Sequence, residues 1–260
     1  MARSIPTLVH LLWREELPQP TTTRGRPARI AVDDVVAAGI AVADDEGLDA
    51  VTIRAVAGRL GASPMALYAH VPDKTTLLAL MSDQVLSRMP HADYDAIDDR
   101  RRRLGRLADD NRDVHLAHPW LAAAGPDRTP IGPGAIGKYE RELRALQPLG
   151  LSPVDTDACL TLLVDFARSS AQAGAAASPE PGWWETATPA LAAHATAERF
   201  PLATRIGAAA GEQHGAARDD EYAWRFGLTR ILDGIASLAD RGPSGDRDRN
   251  DAALPDLGTD

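Results

Sequence analysis

The segment TTTRGRPARIA (21–31) contains the first residues whose types suit a chemical task. Arg24, Arg26 and Arg29 place three guanidinium groups there with no acid among them. Guanidinium groups bind phosphate oxygens through paired N–H donors. Because Pro27 interrupts the segment, an irregular or extended backbone is expected. We interpret the segment as a basic arm suited to a phosphate backbone, with a solvated linker as the alternative.

Groups that would indicate catalysis or metal binding are not evident in the sequence. It has no G-x-S-x-G turn, no phosphate-cradling P-loop, no H-E-x-x-H pair and no second cysteine. His115 and His118 are three residues apart, but no third ligand lies near them. Arg100–Arg103 follow two aspartates and open a predicted helix, which favours a solvated helix face over a DNA patch. We expect no catalytic residues, no metal and no cofactor.

Composition and charge describe a globular chain with an acidic body. The 260 residues are 44% hydrophobic and 25% charged, and the net charge is −9. Residues 1–90 carry −1 and residues 91–260 carry −8, which excludes a chain that is basic throughout. The single cysteine, Cys159, allows no internal disulfide and suits a reducing, cytoplasmic location. No apolar run reaches 18 residues, so no membrane span is expected.

The spacing of apolar residues predicts an all-α fold. The first predicted helix is capped by Asp33 or Asp34 and ends at Gly47. Strand-like alternation and hairpin turn pairs are absent. Further helices are predicted at 52–60, 63–69, 73–89, 97–117, 134–147, 153–175, 186–197 and 220–240.

Two short predicted helices joined by a tight turn form the pattern of a helix-turn-helix. Thr52 and Ser63 are the expected N-caps, and Pro64 stands at the first position of the second helix. Gly61 permits the left-handed backbone that the turn requires. The inner faces would be buried by Val56, Leu60 and Leu67 against Val36 and Ile40. Such a unit places its second helix in the major groove, which predicts double-stranded DNA as a partner.

These segments resemble TetR-family transcriptional regulators. The helix-turn-helix segment TIRAVAGRLGASPMALYAHVPDKTTLLALM, with the preceding VDDVVAAGIAVADDEGLDAV, is similar to the family's DNA-binding domain. HPWLAAAG, GKYERELRALQPLGLSP and EYAWRFGLTRILDGIASLAD resemble the C-terminal domain of the tetracycline-repressor-like branch. The resemblance implies a homodimer, a palindromic operator and a small-molecule effector. The predicted division is an extension (1–23), a helix-turn-helix domain with its arm (24–80), a helical ligand-binding and dimerisation domain (81–240) and a disordered acidic tail (241–260).

The resemblance also implies residue roles in DNA binding. Leu67-Tyr68-Ala69-His70-Val71 matches the family's recognition-helix motif, so Tyr68 and His70 would contact phosphates. Lys74 would add a charged phosphate contact, and Thr52 another at the start of the preceding helix. The base-facing positions would be Ser63, Pro64, Met65 and Ala66.

Weak direct readout of bases is expected from this recognition helix. Proline, methionine and alanine offer no paired donor, although they can contact thymine methyl groups. Specificity would then depend on DNA shape and on the arm. Arg24-Gly25-Arg26-Pro27 is similar to the core of an AT-hook, so Arg24 and Arg26 would enter a narrow A·T minor groove.

The C-terminal domain is expected to dimerise through helices near 153–175 and 220–240. A 4-3-4-3 spacing indicates a seam for helix–helix packing in the second segment, at Trp224, Leu228, Ile231, Ile235 and Leu238. The resemblance implies an intersubunit four-helix bundle, and an intramolecular core is the alternative. In the first segment, one side carries Ala158, Leu162, Asp165 and Ser169, and the apolar side carries Leu160, Leu163, Phe166 and Ala167.

The expected effector site lies between the helices of the second domain. Asn111 and His115 would supply polar groups in an apolar cavity, and the aromatic candidates are Trp120, Tyr139, Phe166 and Trp183. A small hydrophobic effector would release the protein from its operator. It would do so by favouring a dimer whose two helix-turn-helix units, the reading heads, no longer match the spacing of the half-sites on DNA. The resulting hypothesis is a ligand-responsive, sequence-specific repressor that is not an enzyme.

Three alternatives stay open at this point. An all-α enzyme would show turnover. A nonspecific architectural protein would coat DNA uniformly instead of leaving a sharp footprint, although the overall acidity and the large C-terminal domain argue against it. A transcriptional activator would share every feature named above.

Overall fold

The computed structural model describes residues 5–16, 30–123, 132–175, 196–215 and 219–242, with isolated positions between 186 and 194. Within these residues all regular elements are helical, which confirms the predicted all-α class. The described residues also include single 3-10 turns at Leu48–Ala50, Tyr94–Ala96 and Gln147–Leu149. The helices are α1 (Ile5–Leu12), α2 (Val32–Glu46), α3 (Ile53–Arg59), α4 (Pro64–Tyr68), α5 (Lys74–Arg88), α6 (Arg100–Ala117), α7 (Pro119–Ala123), α8 (Pro133–Leu146), α9 (Pro153–Ala175), α10 (Pro201–His214) and α11 (Asp220–Asp240).

Helices α1 to α5 pack around the first of two hydrophobic cores. Val36, Val56, Leu67 and Leu77 are fully buried in it, which confirms three of the five predicted inner-face residues. The other two, Leu60 and Ile40, pack against the core but are only partly buried. A helix of five residues such as α4 cannot be stable alone in water, so this burial must hold it in place. Leu12 of α1 is also buried in the same core.

Local capping sets the ends of the helix-turn-helix. Thr52 Oγ1 accepts the N–H of Ala55 at 3.0 Å, and Ser63 Oγ accepts the N–H of Ala66 at 3.3 Å. Gly61 has φ +61°, in the left-handed region that favours glycine. All three predictions at these positions are therefore confirmed.

The predicted cap of α2 is wrong. Ala31 is the N-cap residue, and Asp33 and Asp34 lie in the first turn. There the Asp34 carboxylate accepts the N–H of Ala31 at 2.8 Å. Acidic side chains in a first turn are favoured by the helix dipole, so they mark the start of a helix without being the cap residue itself.

The second core lies between α6, α8, α9 and α11. Leu107, Leu146 and Leu163 are fully buried in it, and Trp224 of α11 packs beside them. Exposed ion pairs join α6 to α11 at the edge, where Arg101 meets Asp233 at 2.6 Å. Arg100 pairs with Asp240 in the same way. The first three arginines of the run are therefore exposed at the edge of the domain, as expected for a solvated helix face. Arg103 is buried instead, and its Nε donates to the carbonyl oxygen of Ile97 at 2.8 Å.

A buried carboxylate joins the two cores. Asp83 of α5 is 7% exposed and accepts the N–H groups of Gly134 at 3.2 Å and Ala135 at 2.9 Å, at the start of α8. Burial raises the pKa of Asp83, and the two backbone hydrogen bonds oppose that shift. Helix α8 lies so close to α5 that a Cβ atom on Gly134 would overlap the carbonyl oxygen of Asp83.

Some predicted boundaries differ from the observed helices. Helices α1, α7 and α10 were not predicted, and the 97–117 helix begins three residues later, at Arg100. Part of the helix predicted at 186–197, and the predicted tail beyond residue 242, fall outside the described residues. Helix α10 has no buried residue. None of the helices in the described ranges is long and apolar enough to cross a bilayer.

Replacing Gly134 with alanine should destabilise the protein by about 1–3 kcal/mol, because the added methyl group must displace the backbone of α5. Denaturant unfolding measures the change. Gly137 lies on the same helix, and a Cβ there would meet only the side chain of Arg141 at 3.6 Å. Gly137→Ala should instead stabilise by about 0.5–1 kcal/mol, since alanine favours a helix. Equal effects of the two variants would contradict the close contact of α5 with α8.

Candidate DNA-binding surface and effector pocket

The outer face of α4 presents small and apolar groups to solvent. Met65 is 76% exposed and Tyr68 47% exposed, whereas Leu67 between them is fully buried. Ser63 and Thr52 are exposed at the N-termini of α4 and α3. Pro64 and Ala66 are partly exposed. The surface therefore offers hydroxyl groups, a thioether and one phenol, and no charged side chain from α4 itself.

Two predicted phosphate contacts lie close to the body of the domain. His70 is half-buried. Lys74 Nζ donates to the carbonyl oxygen of Leu48 at 3.2 Å. An ammonium group has three donors, so this contact positions the lysine and leaves donors for another acceptor. The arm residues Arg24 and Arg26 fall outside the described residues.

Arg54 is a candidate that the sequence interpretation missed. It is exposed in the first turn of α3, two residues after the cap Thr52. Arg59 on the same helix is held by Asp45 at 2.7 Å, whereas the structure shows no ion pair between Arg54 and any residue in its described ranges. A cation in the first turn of a predicted helix-turn-helix was the signal that could have identified it.

A buried polar cluster lies between α6 and α8. Asn111 is fully buried, and its Nδ2 donates to Glu142 Oε1 at 2.6 Å and to the carbonyl oxygen of Leu107 at 2.9 Å. Lys138 neutralises Glu142 at 2.7 Å. Asn111 Oδ1 and His115 Nδ1 are buried without a hydrogen-bond partner in the described structure. Leaving such an atom unsatisfied costs about 1–3 kcal/mol, so these two atoms mark a place where a polar ligand group would be stabilised.

The imidazole of His115 is held neutral by its surroundings. Burial lowers its pKa to about 4, and the positive charges of Lys138 and Arg168 add to this shift. A neutral imidazole has one donor nitrogen and one acceptor nitrogen. The site therefore suits an uncharged polar group rather than an anion that needs a cationic histidine.

The other predicted effector residues do not gather around Asn111. Trp120 is buried where α7 approaches α2, and its Nε1 donates to Asp44 at 2.7 Å. Tyr139 is 45% exposed and donates to Asp157, and Phe166 stacks on Trp224 with ring centroids 5.1 Å apart. Trp183 falls outside the described residues.

His118 pairs with Asp44 and does not form a metal site with His115. His118 Nδ1 lies 2.8 Å from Asp44 Oδ1. The described residues contain no grouping of three side chains that would hold a metal ion.

The predicted dimer seam on α11 belongs to the core of its own chain. Trp224, Leu228 and Ile235 are buried against the second core, because this stripe packs on α6 and α9. The opposite face of α11 exposes Tyr222 and Phe226. On α9 the two predicted sides are confirmed, with Leu160, Leu163 and Ala167 buried and Ala158, Leu162, Asp165 and Ser169 exposed.

The fold defines a class of protein: a helix-turn-helix reading head followed by a larger helical domain. Two family profiles match the chain in the same order. "Bacterial regulatory proteins, tetR family" covers residues 35–81, and "Tetracyclin repressor-like, C-terminal domain" covers residues 95–239. The chain belongs to the TetR family of transcriptional regulators.

Individual relatives resemble the chain over most of its length. The HTH-type transcriptional repressor DrrR1 of Streptomyces coeruleorubidus is 30% identical over 226 residues, which cover 83% of this chain and 81% of DrrR1. Apo ActR of Streptomyces coelicolor has a TM-score of 0.70 at 26% identity, over 84% of this chain and 99% of ActR. ActR in complex with actinorhodin has a TM-score of 0.68 at 26% identity, over 84% and 98% of the two chains.

The low pKa of His115 predicts a loss of stability in mild acid. An unfolded histidine titrates near 6.5, so its contribution is complete above that pH and is lost as the pH falls towards 4. The full shift corresponds to about 3 kcal/mol. His115→Gln should therefore lose less unfolding free energy than the wild type between pH 7.5 and pH 4.5, as measured by urea unfolding.

The matched control for this experiment is His91→Gln, because His91 is exposed. Its pH profile should follow that of the wild type. A His115→Gln profile parallel to the wild type would show that the buried imidazole does not control acid stability.

Proposed function

We propose that the protein is a sequence-specific repressor that leaves its operator when a small, mostly apolar molecule binds. The observation that carries this proposal is a pair of buried atoms, Asn111 Oδ1 and His115 Nδ1, that have no hydrogen-bond partner among the described residues and lie in a core joined to a helix-turn-helix. The repressor DrrR1 and the ActR–actinorhodin complex support the same reading. No turnover is expected, and the cytoplasm is the expected location.

The effector would combine an apolar body with hydrogen-bonding groups. A donor would satisfy Asn111 Oδ1, and a neutral donor or acceptor would satisfy the imidazole of His115. The second core has buried leucines on the same helices, α6 and α8, which would supply apolar surface for the body of the effector. A charged effector is disfavoured, since it would lose its hydration with only a neutral imidazole and an amide in return.

The proposed route from effector to DNA runs along two helices. Glu142 of α8 binds Asn111, and the first N–H groups of α8 bind Asp83 of α5. Helix α5 begins six residues after α4 ends, so a displacement of α8 would be passed to the reading head. A ligand that binds one orientation better shifts the population by its differential affinity, typically about 1–3 kcal/mol.

The proposed DNA contacts combine the sequence expectation with Arg54. Thr52, Tyr68, His70 and Lys74 would bind phosphates, and the arm residues Arg24 and Arg26 would enter the minor groove. The base-facing set would be Ser63, Pro64, Met65 and Ala66. Arg54 adds the guanidinium that α4 lacks, placed where it would reach phosphate or guanine.

A homodimer is part of the proposal. The exposed face of α9 that contains Leu162 and the exposed face of α11 that contains Phe226 would form the shared bundle, instead of the buried seam. Two reading heads about 34–36 Å apart would then bind successive major grooves on one side of the DNA.

Selection of genomic fragments by the purified protein at a stated salt concentration, followed by footprinting, tests the proposed function. A two-fold symmetric footprint is the expected result, because a symmetric dimer reads a symmetric site. Uniform, salt-sensitive coating without enrichment would instead favour the architectural alternative.

Removing Arg54 should weaken operator binding. Arg54→Ala is expected to cost about 1–3 kcal/mol if it contacts a base, and to reduce the salt slope by about one if it contacts phosphate. Arg59→Ala is the control, since it removes the same charge from α3 while its guanidinium is already held by Asp45. Fluorescence anisotropy across a salt series measures both effects. Identical curves for the two variants would exclude Arg54 from the interface.

The arm is tested in the same assay. Replacing Arg24 and Arg26 together should lower operator affinity and reduce the salt slope by about two. An unchanged slope would assign these residues to a solvated linker.

A further inference from the structure

A cavity of about 500 Å³ lies at the joint between the reading head and the second domain. Its walls come from both sides of that joint: Ile40 of α2, Val85 of α5, Met89 just after α5, and Val114 of α6. Asn111 and His115 do not line it. The cavity is therefore separate from the buried polar cluster, and its volume lies within the range of small-molecule sites.

The walls of the cavity are mostly apolar, and two of its charged groups lack an ion pair or hydrogen bond in the described structure. Arg88 and Asp113 line it, and both are exposed. The cavity also has two charged side chains that form an ion pair with each other, Arg106 and Asp110, with Arg106 2.7 Å from Asp110 Oδ1. Asp110 Oδ2 also accepts from Tyr94 at 3.0 Å.

The remaining polar groups define the chemistry of an occupant. Arg88 can donate and Asp113 can accept, and their charges cancel across the cavity. A net charge on the occupant would be attracted to one of them and repelled by the other. The complementary ligand is an uncharged, largely apolar molecule with a carbonyl for Arg88 and a hydroxyl for Asp113.

The position of the cavity couples its occupancy to the orientation of the reading head. Because residues of α2, α5 and α6 all line the cavity, any rotation of the reading head against the second domain changes the shape of the space. His118 also lines the cavity and contacts Asp44 of α2, which is one of the direct links across the joint. A ligand that fits one shape better must shift the balance between orientations.

We propose that this interdomain cavity is a second effector site, which takes an uncharged, mostly apolar carbonyl- and hydroxyl-bearing molecule and controls operator affinity from the joint. The effect on DNA rests on the proposed function, whereas binding to the cavity does not. The two parts are therefore tested by separate measurements.

A chemical label attached at position 117 would enter the cavity without disturbing the hydrophobic core. It is the exposed last residue of α6 and lines the space, whereas its neighbour Leu116 is 43% exposed and does not. Ala117→Cys and Leu116→Cys form a matched pair for labelling with benzyl methanethiosulfonate, which adds an uncharged apolar group. The native Cys159 does not compete, because it is buried and burial raises the pKa of its thiol.

The first measurement is the fluorescence of Nile red, an uncharged apolar dye with a carbonyl group. Enhancement is expected with the wild type and with labelled Leu116→Cys, and it should be lost with labelled Ala117→Cys. Enhancement that persists in labelled Ala117→Cys would overturn the cavity as the binding site. Circular dichroism confirms that each variant is folded.

The second measurement is operator affinity. Labelled Ala117→Cys should change the dissociation constant by fivefold or more, within the usual range of allosteric coupling, and labelled Leu116→Cys by less than twofold. Equal affinities for the two adducts would overturn the coupling. A wild-type protein that selects no operator would be a failure of the proposed function, and the Nile red result would still decide the site.

Discussion

The carboxylate of Asp83 is buried between two helices and is stabilised by the first N–H groups of α8. A carboxylate in such a place must be hydrogen-bonded or protonated, because an isolated charge cannot be buried at an acceptable free energy. The bonds therefore fix α8 against α5, and the missing Cβ of Gly134 lets the backbones approach. Since α5 packs in the same core as α3 and α4, this contact fixes α8 against the helix-turn-helix unit.

In the polar cluster of the second domain, some groups have hydrogen-bond or ion-pair partners and others do not. Glu142 is neutralised by Lys138 and accepts from Asn111, so the charge of this cluster is balanced inside the core. Asn111 Oδ1 and His115 Nδ1 have no hydrogen-bond partner in the part of the chain that the structure describes. The desolvation cost at these atoms is a stored free energy that a complementary ligand would recover on binding.

The local features of the fold were predictable from sequence, and the long-range features were not. The caps at Thr52 and Ser63 and the turn at Gly61 follow from residue type, because each interaction spans about three residues. The partners of Asp83 and Trp120 are 51 or more residues away, and no spacing rule identifies them. The spacing of Trp224 and Leu228 predicts a seam for helix packing, but the pattern of one helix does not show which element packs against it. Of the five predicted effector residues that the structure describes, Asn111 and His115 have buried atoms without a hydrogen-bond partner in the described ranges, and this property appears only in three dimensions.

Helix α10 has no face that is buried against the rest of the described structure. All of its residues are at least partly exposed, including Leu202 and Ile206, and an isolated helix of 14 residues is marginal in water. A second copy of the chain that covered Leu202 and Ile206 would bury apolar surface and so stabilise the helix. If a dimer covered this helix, its folding would depend on the concentration of the protein. Dilution would dissociate the dimer and unfold α10 before the rest of the domain. The helical content of the protein would therefore fall on dilution.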